Sequence, residues 1–119
     1  MDPICITTYN LHGFNQCFNV LKDLFAVSDV VFIQEHWLSS DHLSKLNMLT
    51  SRFLCFSKSA MDSAVSSTDI LRGRPFGGLA VFIYTRLQHN VELLYAAERV
   101  LIVKCCICSY MLILSSTML

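Results

Sequence analysis

The chain has 119 residues, enough for one small domain and too few for two. Apolar residues make up 54% and charged residues 15%, where ordinary domains carry roughly a quarter charged residues; a core can be buried, but little polar surface is left to cover it. Nine basic and nine acidic residues cancel, which excludes a global basic field for nucleic acid and leaves only local contacts with it.

The first apolar strand covers residues 3–10 and closes on Asn10, and Gly13 supplies a flexible turn after it. A helix is predicted over 15–26. Phe14, Phe18, Leu21 and Phe25 recur there at helical spacing, with Leu24 beside them and Lys22 and Asp23 facing outward. Ser28-Asp29 ends the helix, and Val30-Val31-Phe32-Ile33-Gln34-Glu35 is the next strand. Strand, helix and strand in this order predict a parallel pair with a right-handed crossover.

Ser39, Ser40 and Asp41 offer an N-cap for a short helix through Leu43 and Leu46. Residues 52–57 form a third strand, with Phe53, Cys55 and Ser57 on one face and Leu54 and Phe56 on the other. The stretch 59–75 is polar and Ser-rich and holds Arg72-Gly73-Arg74, which predicts an exposed loop. Gly77-Gly78 then opens a buried strand that runs to Tyr84, the glycines permitting a tight or bulged start. Residues 90–94, 99–107 and 110–116 are three further strands with short links, so antiparallel pairing is expected. The run 100–119 approaches the roughly 20 apolar residues of a membrane span. Lys104 interrupts it and Ser109, Ser115, Ser116 and Thr117 dilute it, so two buried strands fit it better.

The six cysteines, at 5, 17, 55, 105, 106 and 108, are spaced as neither a zinc ribbon nor a disulfide framework. Cys105, Cys106 and Cys108 lie in an apolar run, where Cys behaves as a small hydrophobe. Met1-Asp2-Pro3 carries no basic region and no leader-like stretch, so no secretory signal is expected. Reduced cysteines inside a cell follow.

Asn10 and Glu35 each stand alone as a polar residue at the C-terminal end of a short apolar strand. A helix joins the two strands, which brings two oxygen ligands to one edge of a sheet, where open α/β sheets place their sites. A hard divalent cation such as Mg²⁺ takes oxygen ligands of this kind. His12 is either a phosphate contact or an exposed loop residue. Asn10 has a second reading as a residue tolerant of a left-handed turn. His36 and His42 straddle a helix start and make a poor zinc pair, Trp37 is a packing anchor, and Arg99 is a strand-edge charge. Arg72 and Arg74 are either DNA-phosphate contacts or part of a solvated loop.

Asn10-Leu11-His12-Gly13 gives an Asn-x-x-Gly strand end, and Gln34-Glu35, followed by Trp37-Leu38, gives a Gln-Glu strand end. Gly77 to Phe82 reads Gly-Gly-x-Ala-Val-Phe. In this order the chain resembles the N-terminal half of the endonuclease/exonuclease/phosphatase family. Within it, the chain is most similar to the apurinic-endonuclease-like domain of LINE-type non-LTR retrotransposons. The Gln-Glu-His-Trp-Leu wording and the Gly-Arg-Pro-Phe-Gly-Gly run from Gly73 to Gly78 are typical of that branch. The resemblance spans nearly the whole chain, and its specificity lies in the order and spacing of the motifs. It implies an α/β fold, a DNase I-like two-sheet sandwich, of which residues 1–119 would form about the first half as a single truncated domain. It further implies that Glu35 holds Mg²⁺ or Mn²⁺, with Asn10 as its polar partner in the catalytic site. The implied reaction is phosphodiester hydrolysis on DNA, where a metal neutralises charge building on the phosphate and a general base activates water.

The family also uses a Tyr-x-Pro motif, an Asp-x-Asn motif and a C-terminal Asp-His pair. Ser116, Thr117 and Met118 stand where the first would fall, and after Glu98 the chain has no Asp, Glu or His. Little or no nuclease activity is therefore expected of the chain alone, and a retroelement relic is one origin consistent with that. The alternative function is a non-catalytic interaction module, or self-association, through exposed strands. A membrane-associated role for the C-terminal run ranks third. A nuclear location would follow from a retroelement role, without a basic targeting cluster to support it.

Overall fold

In a computed structural model of the chain, the described residues are 4–14, 18–61, 76–97, 99–107 and 110–117. Strand β1 (Ile6–Asn10) leads through helix α1 (Phe18–Val27) to β2 (Val30–Gln34). A 3₁₀ turn (Ser40–His42) and a single-turn helix α2 (Ser44–Asn47) precede β3 (Phe53–Lys58). Strand β4 (Leu79–Tyr84), a second 3₁₀ turn (Thr85–Asn90), β5 (Val91–Ala97), β6 (Val100–Ile107) and β7 (Tyr110–Thr117) complete the order.

Two sheets form. The first has the order β1-β2-β4-β3 and the second β5-β6-β7. β1 runs parallel to β2, with Ile6 opposite Val30 and Asn10 opposite Gln34; a parallel pair needs a long crossover, which α1 supplies. β4 is antiparallel to both β2 and β3. The second sheet is antiparallel throughout, with a register shift between Leu93 and Tyr95 on β5.

The alternation of side chains along a strand explains why β2 and β4 are apolar at nearly every position. Val31, Ile33, Ala80 and Phe82 face the helices, packing with Leu11, Leu21, Leu38, Leu46 and Phe53. Val30, Phe32, Leu79, Val81 and Ile83 face the other way and pack on Leu101 and Val103 of β6. The central strands are thus buried on both faces, between a helical layer and the second sheet. Burying each such side chain contributes about 1.5–3 kcal/mol over leaving it exposed.

The structure differs from several of these expectations. Leu21 is buried in α1, but Phe18 is 53% exposed; the apolar stripe is narrower than its helical spacing suggests, because Phe25 carries the packing onto Phe53 and Phe82. Ser59, Ala60 and Met61 are buried rather than part of an exposed loop. Met61 N donates to Ser59 Oγ and Phe76 N approaches Met61 Sδ, so the two sides of the loop are joined at its base. Residues 62–75, with Arg72 and Arg74, lie outside the described residues. Ser39 is the N-cap residue but makes no side-chain cap bond; its hydroxyl pairs with His42 Nδ1 at 2.9 Å instead. Among the described residues no helix is long and apolar enough to cross a membrane.

Candidate functional site

Three chain segments meet beyond the ends of β1 and β2. Leu11 N donates to Gln34 O, which carries the parallel ladder one step past Asn10. The chain then turns at His12, whose φ is 50°, and Asn10 Oδ1 accepts the His12 N–H at 3.2 Å, a side-chain turn of the type Asn favours. β2 stops at Gln34 because Glu35 leaves the extended region, with φ 57°. Glu35 N donates to Gly78 O at 2.8 Å, and Glu35 O accepts from Gly13 N at 2.9 Å. Trp37, also left-handed at φ 58°, donates from its backbone to Gly77 O. Phe14 N donates to His36 O.

A non-glycine residue held left-handed costs about 1–3 kcal/mol and persists only where its surroundings impose it. Here three such residues, His12, Glu35 and Trp37, cluster at one sheet edge, interleaved with Gly13, Gly77 and Gly78 at positive φ. Asn10 itself remains in the strand, so the reading of Asn10 as a left-handed turn residue does not hold.

Two rings lock this turn. His36 is fully buried. Its Nδ1 accepts the Leu38 N–H at 3.0 Å, so Nε2 carries the proton toward Lys58 O, also at 3.0 Å. Burial lowers its pKa below the ordinary 6.5, although backbone carbonyls at Lys58 and Leu79 pull the other way. The ring fills the space that a Cβ on Gly78 would need. With both ring nitrogens engaged, His36 has no electron pair for zinc, and no zinc pair with His42 exists. Trp37 packs as expected: a Cβ on Gly13 would stand 2.6 Å from its Cε3. Its Nε1 is buried without a hydrogen-bond partner among the described residues. Sequence reasoning missed the His36–Gly78 contact. The available signal was a histidine directly after a strand-end carboxylate, together with a double glycine opening another strand.

The candidate pair lies on top of this platform. Asn10 Nδ2 donates to Glu35 Oε2, so the two predicted residues do meet. His12 Nδ1 is 3.7 Å from the same oxygen; the His12 side chain is 71% exposed and that of Glu35 29%. The carboxylate is therefore fixed in direction and still open to solvent. Its donor type suits a hard cation that keeps several waters. Asn10 turns its amide nitrogen to Glu35 and its oxygen to the His12 N–H, which makes it the group that aims the carboxylate. Among the described residues no group of three His, Cys, Asp or Glu side chains could hold a metal ion.

No family model matches the chain, and no curated protein matches it. Solved structures do. An AP endonuclease from Leishmania major superposes with a TM-score of 0.67 at 14% identity, over 99% of this chain and 41% of that one. A 3′ phosphatase from Neisseria bound to a product DNA hairpin gives 0.54 at 17% identity, over 93% and 40%. A 3′-5′ exonuclease from Neisseria meningitidis gives 0.52 at 17% identity, over 92% and 40%. The chain spans about 40% of the length of these neighbours. At such identities the likeness is one of fold: part of a DNase I-like two-sheet α/β architecture.

Proposed function

We propose that the chain carries the metal-binding edge of a DNase I-like phosphodiesterase domain acting on DNA, in which Glu35 is the anionic ligand and Asn10 orients it. One observation carries this reading: Glu35 is held left-handed between Gly13 and Gly78, with the Asn10 amide on its carboxylate. Strained residues gather at sites where geometry must be imposed. A Mg²⁺ or Mn²⁺ ion held there supplies charge neutralisation for a phosphate in the transition state. The chain's own contribution is a preorganised carboxylate, with His12 within reach of the same oxygen. The words Gln34 to Leu38 and Gly73 to Gly78 favour a LINE-type retroelement origin.

Among the described residues the site holds one carboxylate, Glu35. A lone carboxylate holds a cation weakly, so little or no nicking of DNA is the expected outcome for the chain alone. The test has two readouts. Mn²⁺ should broaden the amide NMR signals of residues 10–13 and 34–37, and Glu35→Gln should remove that broadening. A plasmid-nicking assay with Mg²⁺ should stay at background for both proteins. Broadening centred elsewhere overturns the site, and nicking that depends on Glu35 overturns the inactivity.

A second reading, pairing through an exposed strand, has one observation in its favour. Leu93, Leu94 and Tyr95 on edge strand β5 are 38%, 45% and 55% exposed, and an apolar sheet edge invites another chain. Sedimentation of the wild type against Leu94→Lys decides it: a concentration-dependent dimer lost in the variant supports pairing.

A further inference from the structure

A groove of about 660 Å³ opens at the other end of the first sheet, between α1, the start of β3 and the end of β4. Its size lies within the range of small-molecule sites, about 300–1,000 Å³. Four aromatic rings line it: Phe18, Phe25, Phe53 and Tyr84. Phe18 is 53% exposed and offers a free ring face. Lys22, Arg52 and Arg86 line it as well, against one carboxylate among the described lining residues, Asp29, which already accepts from Arg86 Nη2 at 3.1 Å and from Cys5 N at 2.9 Å. Arg86 also lies 5.5 Å over the Tyr84 ring, a flat cation on an aromatic face. The lining therefore has an excess of positive charge.

We propose that this groove binds a planar aromatic ring bearing an anionic group, the chemistry of a nucleotide. The charge of the lining selects an anion, and the rings select a flat, polarisable body. Aromatic faces with flanking cations hold bases by stacking and phosphates by charge-assisted hydrogen bonds. An aliphatic anion would satisfy the cations without using the ring faces, and an uncharged ring would do the reverse. The groove is separate from the Asn10–Glu35 edge: the five residues of β2 put roughly 17 Å between them at about 3.3 Å per residue.

NMR titration of the full chain with thymidine monophosphate tests the assignment, with thymidine, inorganic phosphate and decanoate as comparison ligands. The nucleotide should shift the amides around Phe18, Lys22 and Arg86. Thymidine and phosphate should each bind at least about tenfold more weakly, since each lacks one half of the recognition. Phe18→Ala and Lys22→Gln remove exposed side chains, so the fold survives, which circular dichroism verifies; each should weaken binding several-fold. Glu35→Gln should leave the affinity unchanged. Shifts centred on residues 10–13 and 34–37, decanoate binding as tightly as the nucleotide, or full affinity in both groove variants would each overturn the proposal.

Discussion

The imidazole of His36 occupies the volume where a side chain on Gly78 would begin, and Gly78 at φ 99° is the residue whose carbonyl accepts the Glu35 N–H. One contact thus sets both the backbone of β4's approach and the direction of the candidate ligand. Gly78→Ala adds a strained φ and an overlap with a ring fixed at both nitrogens. The variant should lose about 3 kcal/mol or more in urea denaturation. A loss below about 0.5 kcal/mol, the range of neutral surface changes, would show that the ring moves aside freely.

The same ring gives a pH dependence. Burial lowers the folded-state pKa of His36 below the ordinary 6.5, so the unfolded chain binds the proton more readily. Stability from this group is complete above pH 6.5 and is lost as pH falls below it toward the lowered folded value. The unfolding free energy from urea denaturation should therefore fall as the pH drops below 6.5, by at most about 1.4 kcal/mol per pH unit for one group. His36→Gln should flatten that slope. Parallel slopes in the two proteins would mean that His36 is not the titrating group.

Asn10 makes two polar contacts at the surface, one to Glu35 and one to the His12 backbone. Asn10→Ala removes both without opening a cavity, so the expected loss of stability is only about 0.5–1.5 kcal/mol. The larger effect falls on the carboxylate, which loses its aim. Groups that orient a metal ligand change affinity by about tenfold or more, and the Mn²⁺ relaxation titration should weaken accordingly. An unchanged titration would make Asn10 a turn-forming residue only.

Helix α1 offers a test of packing against pattern. Phe18 and Phe82 are both phenylalanines in apolar stripes, yet one is 53% exposed and the other fully buried against Phe25. Phe82→Ala should cost about 3–5 kcal/mol, and Phe18→Ala should stay within about 0.5 kcal/mol. Comparable losses would mean that Phe18 is covered in solution.

The contrast shows which features were legible in the residues. Alternation and apolar runs located every described strand within a few positions, because period and burial follow from side-chain direction alone. The meeting of Asn10 and Glu35 was legible too, since a parallel strand pair puts the two strand ends together. The pairing of β4 between β2 and β3 was not, because antiparallel insertion of a distant strand leaves no local mark. Nor was the left-handed backbone of Glu35, Trp37 and His12, which no propensity favours and which only the surrounding hydrogen bonds impose. The contact of Met61 was hidden for a similar reason: its sulfur meets the backbone N–H of Phe76, fifteen positions away.

Cysteine reactivity separates surface from interior in one experiment. Cys5 is exposed at the start of β1, whereas Cys55 sits in β3 against the helical core. Burial pushes the Cys55 thiol up to about 12, so almost no thiolate is present near pH 8.5, and the thiolate is the nucleophile. Iodoacetamide should label the exposed Cys5 promptly and Cys55 far more slowly at that pH, with peptide mass spectrometry assigning each site. Labelling of Cys55 should accelerate with urea, since it requires the sheet to open. Equal labelling of the two residues in folded protein would mean that the face of β3 carrying Cys55 is open to solvent and not covered by the helical layer.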